Sequence, residues 1–253
     1  MPLSEQVVLV TGGGRGLGSA IAVAVAAQGA RVIINYRHST DSAHRLAEEL
    51  GDRAIALGAD VTDPTAVATM FVDAADHFGA PVTAVVNNAL PDYSFNGDAR
   101  SDADSLTWAE VDAQLRGIVG GALTVTQAAL PGMRAAGGGR VINIGTNLVQ
   151  NPVVPYHDYT AAKSALLALT RTLSHDLGPD GITVNMVSGG LLRTTDASAA
   201  TPADVFDAIA AATPLRSVTT PAEFADAVLF FLSPWSRAVT GQNLIVDGGL
   251  VKN

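Results

Sequence analysis

Short β-branched runs alternate with longer stretches of helical spacing along the whole 253-residue chain. The candidate strands are Val7–Val10, Arg31–Asn35, Ala54–Gly58, Ala84–Asn87, Arg140–Ile144, Thr183–Val187 and Asn243–Val246. Helical patterns fall near 16–28, 41–50, 64–78, 106–134, 159–177 and 221–232. Such alternation predicts right-handed βαβ units, hence an α/β fold whose parallel sheet is doubly wound, with helices on both faces. Unbroken apolar runs such as VVLV, and the VII of RVIIN, suit strands buried on both sides. No linker or repeat beyond these units divides the chain, so residues 1–253 are expected to form one domain, a size such folds reach as a unit.

Two segments interrupt the rhythm. Pro91 to Asp104 is rich in Asp, Ser and Gly and reads as a loop. Gly189 to Thr213 is a Gly/Thr/Ser/Ala stretch with a short helix expected after Pro202. Both follow carboxyl ends of strands, where an open α/β sheet forms its ligand crevice, so both should border the site.

Other classes are excluded by composition. The longest apolar run, Ala20 to Ala27, is far short of the ~18 residues a bilayer span needs, and no secretory leader is expected. Absence of cysteine excludes disulfides and thiolate metal sites and fits a cytoplasmic protein. The five histidines show no metal-ligand spacing. A net charge of −9 argues against nucleic acid as a partner, since phosphate would be repelled.

Thr11-Gly-Gly-Gly-Arg-Gly-Leu-Gly18 joins the first strand to the first helix. Gly12, Gly16 and Gly18, with Leu17 among them, let backbone approach a pyrophosphate at a helix N-terminus, where N–H donors and the dipole favour anions. The second strand ends Asn35-Tyr-Arg37, with no acidic residue to hold a ribose diol. Arg37, seconded by Arg15, suits a 2′-phosphate instead, so NADP(H) is the expected cofactor. Asp60-Val61, closing the third strand, is placed to meet the adenine.

Tyr159 and Lys163 are four residues apart, one turn along a helix. Free tyrosine ionises near ~10, and a neighbouring cation favours its phenolate, making the phenol a better acid towards an alkoxide.

Taken together, these motifs resemble the short-chain dehydrogenase/reductase family over essentially the full length. TGGGRGLG is similar to the family's TGxxxGxG turn, Asn87-Asn88-Ala89 to its NNAG segment, Tyr159 and Lys163 to its catalytic pair, Asn185 to the asparagine of ITVN, and Val246-Asp-Gly-Gly249 to its carboxy-terminal signature. The nearest type is the bacterial 3-oxoacyl-[acyl-carrier-protein] reductase. The resemblance implies a Rossmann-type seven-stranded parallel sheet and a homotetramer (or dimer). It also implies hydride transfer between nicotinamide and a carbonyl carbon, with Tyr159 passing the proton and Lys163 holding the nicotinamide ribose. Asn87, Ala89, Gly189 and Thr194 (or Thr195) are the further cofactor contacts it implies. The family's active-site serine falls at Thr146, which keeps a hydroxyl but adds a methyl. The family's helix-kinking asparagine falls at Ile118, which offers no amide; Gln114 is one turn away. Leu90 stands where NNAG has glycine, and Ser188 replaces a proline before Gly189. Leu90, Tyr93, Phe95 and His157 are the candidate substrate contacts beside Thr146.

The expected activity is NADPH-dependent reduction of a 3-oxoacyl-type or other small ketone to a secondary alcohol. An acyl-thioester or free small molecule is favoured over an obligate carrier protein. Where the resembling reductases have carrier-docking arginines, this chain has Gly137 and Asp180. Two alternatives are an NAD(P)-sensing binding protein with little turnover and an NAD-dependent alcohol dehydrogenase.

Overall fold

The computed structural model describes residues 1–91, 93, 95, 100–193, 195, 198–199 and 201–252. Seven parallel strands form one sheet: β1 (Val7–Val10), β2 (Arg31–Tyr36), β3 (Ala54–Gly58), β4 (Ala84–Asn87), β5 (Gly139–Thr146), β6 (Ile182–Gly189) and β7 (Asn243–Val246). Their spatial order is β3-β2-β1-β4-β5-β6-β7. The chain winds outward from β1 to β3, then returns to place β4 against β1. The carboxyl ends of β1 and β4 therefore flank the switch point, where such sheets take ligands.

Alternate residues of each strand feed two separate cores, which is why the strands are apolar throughout. Val8, Val10, Val32 and Ile34 pack against α1 (Gly16–Ala27), α2 (Thr40–Leu50) and α8 (Pro221–Leu232) through Ile21, Leu46 and Phe224. Val7, Leu9, Ile33 and Val85 face α3 (Pro64–Phe78) and α5 (Gly121–Ala135) through Val67, Met70, Val125 and Met133. Helix starts follow local chemistry. Asp63 caps α3 by accepting from the N–H groups of Thr65 and Ala66, and Thr220 with Glu223 forms a capping box on α8. Among the described residues no helix is long and apolar enough to cross a membrane.

The pattern expected as one helix over 106–134 is three pieces: α4 (Trp108–Gln114), a π-helical turn over Leu115–Gly120, and α5. The π-turn forms here with an apolar side chain, not an amide, at position 118. A Cβ on Gly117 would lie 2.6 Å from Pro91 Cγ, and one on Gly121 2.7 Å from Val61 Cγ2. These glycines let the helical segment approach the loop after β4 and the end of β3. The short helix expected after Pro202 is α7 (Ala203–Ala212), and α6 (His157–Leu177) begins two residues earlier than its periodicity suggests.

Candidate active site

At the end of β1, Thr11 knots the cleft floor together. Its Oγ1 accepts from the N–H groups of Asn88 and Ala89, both at 2.9 Å, while the Asn88 amide donates to the carbonyls of Thr11 and Gly12. Gly18 admits no substitute, because a Cβ there would sit 2.2 Å from the Gly12 carbonyl oxygen. Gly12 and Gly16 adopt φ of +61° and +56°, which glycine reaches without cost. No side chain caps the start of α1, and Arg15, Gly16, Leu17 and Gly18 all line the cleft. An uncapped helix N-terminus behind a glycine turn fits a pyrophosphate. The cleft has about 1790 Å³ of room, well above a typical single-ligand pocket, so a dinucleotide and a second molecule both fit.

At the adenine end, Asn35, a candidate cofactor contact beside Arg37, lines the cleft while its amide bonds the protein. Its side chain is buried, accepts from Gly12 N–H at 3.3 Å and donates to the Ala59 carbonyl at 3.0 Å. It braces the glycine turn against β3. Arg37 points into the cleft with Nη1 3.5 Å from Asp60 Oδ2, and Val61 lies beside them. Burial raises the Asp60 carboxyl, but its bonds to Thr62 and the Arg37 charge outweigh that and leave it lowered.

Tyr159 and Lys163, the candidate catalytic pair, sit on the first turns of α6, as their spacing requires. Lys163 is buried and donates to the Ile144 carbonyl at 2.6 Å; its Nζ lies 5.6 Å from the Tyr159 ring centre. Burial pulls the ammonium down to about 8. The phenol departs from the expected lowering: burial pushes it up to about 12, against an opposing hydrogen bond from Thr146. Desolvation dominates because the phenol lies in an apolar cluster with Ile118, Leu166 and Met186. Thr146 ends β5, buried, with its Oγ1 also accepting from Leu148 N–H at 3.3 Å.

The loop after β4 supplies the outer wall. Tyr93 and Phe95 place their rings 5.2 and 5.4 Å from that of Tyr159, and Tyr156 lies 5.8 Å from both. Leu90 packs on the same cluster. His157 does not join them. Two residues before Tyr159 is ~200° around a helix, and the imidazole is exposed outside the cleft. Tyr156, unremarked in the sequence, lines the cleft in its place. Asn87 points down into the protein rather than at the cleft, bonding Asn143 at 2.9 Å. Gly189 lines the cleft, where a Cβ would press within 2.8 Å of Phe224. Thr194 lies outside the described residues; Thr195 bonds Ser198 through its hydroxyl at 3.0 Å.

Sequence reasoning missed a charged latch. Arg100 pairs with buried Asp158 and lies over the Tyr93 ring at 4.2 Å, while Tyr93 Oη bonds Asp158 at 3.4 Å. The one available signal is that Arg100 is the sole cation of the acidic loop and Asp158 adjoins Tyr159.

A doubly wound parallel sheet, a glycine turn at its switch point and a Tyr/Lys/Thr cluster facing that turn define a nicotinamide-dependent oxidoreductase. The family profile described as enoyl-(acyl carrier protein) reductase matches residues 12–251. The chain is 33% identical to versicolorin reductase 1 of Aspergillus parasiticus, over 98% of this chain and 97% of that protein. It is 32% identical to the 3-oxoacyl-[acyl-carrier-protein] reductase FabG of Vibrio cholerae, over 99% of each. It is 30% identical to an NADPH-dependent aldehyde reductase-like protein of Arabidopsis thaliana, over 99% of this chain and 96% of that one. The protein belongs to the short-chain dehydrogenase/reductase family of oxidoreductases, which act on small carbonyl substrates with NAD or NADP.

Proposed function

We propose that the protein is an NADPH-dependent reductase of a ketone, of 3-oxoacyl type or another small carbonyl carried on an apolar or aromatic frame. The observation that carries this reading is the buried phenol of Tyr159 sharing a dinucleotide-sized cleft with Thr146 and Lys163, whose Nζ lies 5.6 Å from its ring centre. When bound, nicotinamide supplies the hydride and its electron pair to the carbonyl carbon. Thr146 and Tyr159 orient the carbonyl oxygen by donating to it, and Tyr159 then gives that oxygen its proton. Lys163, four residues along the same face, compensates the phenolate that results.

Arg37 at the cleft rim, with no carboxylate ending β2, supports NADPH over NADH. The aromatic wall of Tyr93, Phe95 and Tyr156 supports a flat or apolar substrate body. The net charge of −9, and the Arg134–Asp180 pair at 2.7 Å near a position where docking reductases are basic, speak against an acidic carrier. Assembly as a homotetramer (or dimer) is supported by the open edge of β7 with Leu244 exposed and by exposed Phe230 and Trp235 nearby in sequence. Size-exclusion chromatography with light scattering reads it directly. The activity test follows NADPH absorbance with 3-oxoacyl thioesters, diketones and quinones, with NADH in parallel and Tyr159→Phe as control. Tight NADPH binding with no turnover on any of them would favour a sensor instead.

A further inference from the structure

A polarised chain of side chains runs beneath the catalytic pair. Thr170 donates its hydroxyl to the Leu166 carbonyl at 2.8 Å, so its oxygen is left to accept from Asn143 Nδ2 at 2.9 Å. That bond turns Asn143 Oδ1 towards Asn87, whose Nδ2 donates to it at 2.9 Å and to Thr126 Oγ1 at 3.3 Å. Each link fixes the next. Flipping the Asn87 amide would set two carbonyl oxygens face to face, so its Oδ1 is committed to the far side. There it is fully buried with no hydrogen-bond partner among the described residues. A buried acceptor left unmade is costly, and native proteins commonly satisfy one with an internal water.

Room for that water exists. Asn87, Lys163, Ile118 and Leu166 share the wall of a small cavity with about 10 Å³ for a water's centre. That is about the minimum one water needs. Ile118 presents no polar group, whereas Lys163 has three N–H donors and spends one on the Ile144 carbonyl. We propose that one buried water in this cavity bridges Asn87 Oδ1 and Lys163 Nζ, making Asn87 a positioning residue that holds and stabilises the catalytic ammonium. The inference rests on the reading of Lys163 as half of the catalytic pair.

The chain's composition allows a test that needs no turnover. Lys163 and Lys252 are its only lysines, so protein labelled with 13Cε-lysine gives two side-chain signals, each titratable by NMR. In Asn87→Leu the Lys163 midpoint should fall by about one pH unit, the size of one hydrogen bond to a charged group. Thr126→Val cuts the same network away from the cavity and should leave the midpoint within a few tenths. Asn87→Asp keeps an oxygen at the cavity and should hold the midpoint at or above the wild-type value, which serves if the leucine variant does not fold. An unmoved midpoint in Asn87→Leu, an equal fall in Thr126→Val, or a fall in Asn87→Asp overturns the proposal. So does a high-resolution crystal structure of the wild type with no water between the two atoms. Absent turnover in the wild type would refute the reductase reading while leaving each of these measurements decisive.

Discussion

Replacing Lys163 with methionine isolates the cost of burying the ammonium. The side chain is almost fully inaccessible, and burial lowers its pKa from 10.5 to about 8. At ~1.4 kcal/mol per pH unit, the difference amounts to roughly 3 kcal/mol. The sign follows from proton counting. Between about pH 8 and 10.5 the unfolded chain binds a proton at Lys163 that the folded protein lacks, so folding is penalised fully below pH 8 and the penalty fades as pH rises to 10.5. Lys163→Met has no such term. Its stability advantage over wild type should therefore shrink by roughly 3 kcal/mol from pH 7.5 to 10.5, on the order of 10 °C in relative Tm for a chain of this length. Packing differences between methionine and lysine shift the whole curve and leave this slope alone. Tyr159, near 12, stays protonated across the window. Paired thermal or urea unfolding of both apoproteins at several pH values measures it. A gap that stays constant with pH would show that the ammonium carries no burial penalty, and the charge logic of the site would fail with it.

The remaining predictions concern the site's other members. Thr146→Ser should keep or raise turnover while Thr146→Ala lowers kcat by about tenfold or more; equal rates across the three would remove that hydroxyl from the chemistry. Arg37→Ala should weaken NADPH binding by about tenfold or more and leave NADH nearly untouched, as read by fluorescence titration; unchanged NADPH affinity would favour an NAD-dependent dehydrogenase. Arg100→Met strands the buried Asp158 carboxylate and should cost about 3–5 kcal/mol on unfolding, with KM raised more than kcat is lowered; an unshifted melting curve would mean the latch is open in solution.

The scaffold was legible because its signals are local. β1 and β2 announce themselves by unbroken β-branched runs, and the glycine turn by positions where a Cβ would strike backbone, as at Gly18. Tyr159 and Lys163 were legible because four residues is one helical turn. What escaped the sequence depends on distance or on a single extra residue. Arg100 and Asp158 are 58 positions apart, and nothing local couples them. The π-turn at Leu115–Gly120 leaves the apolar spacing of α4 and α5 nearly intact, so it reads as one helix. Asn35 stands at the cofactor edge of β2, and its bracing of the glycine turn 23 positions away is a contact nothing local announces. Adjacency misled at His157, where helical rotation separates chain neighbours.

The direction of the phenol's shift bears on how the site works. An apolar surround penalises each lone charge, which is why Tyr159 is pushed up while Lys163 is pulled down. Before proton transfer the ammonium stands without a counter-charge from its partner. Delivering the phenolic proton creates a phenolate one turn away, and opposite charges attract most strongly where water is excluded. The burial that makes the free phenol a poor acid therefore favours the ion pair its reaction leaves behind. Ile118 fits this scheme, because its buried apolar side chain brings no polar group of its own to the phenol's surround.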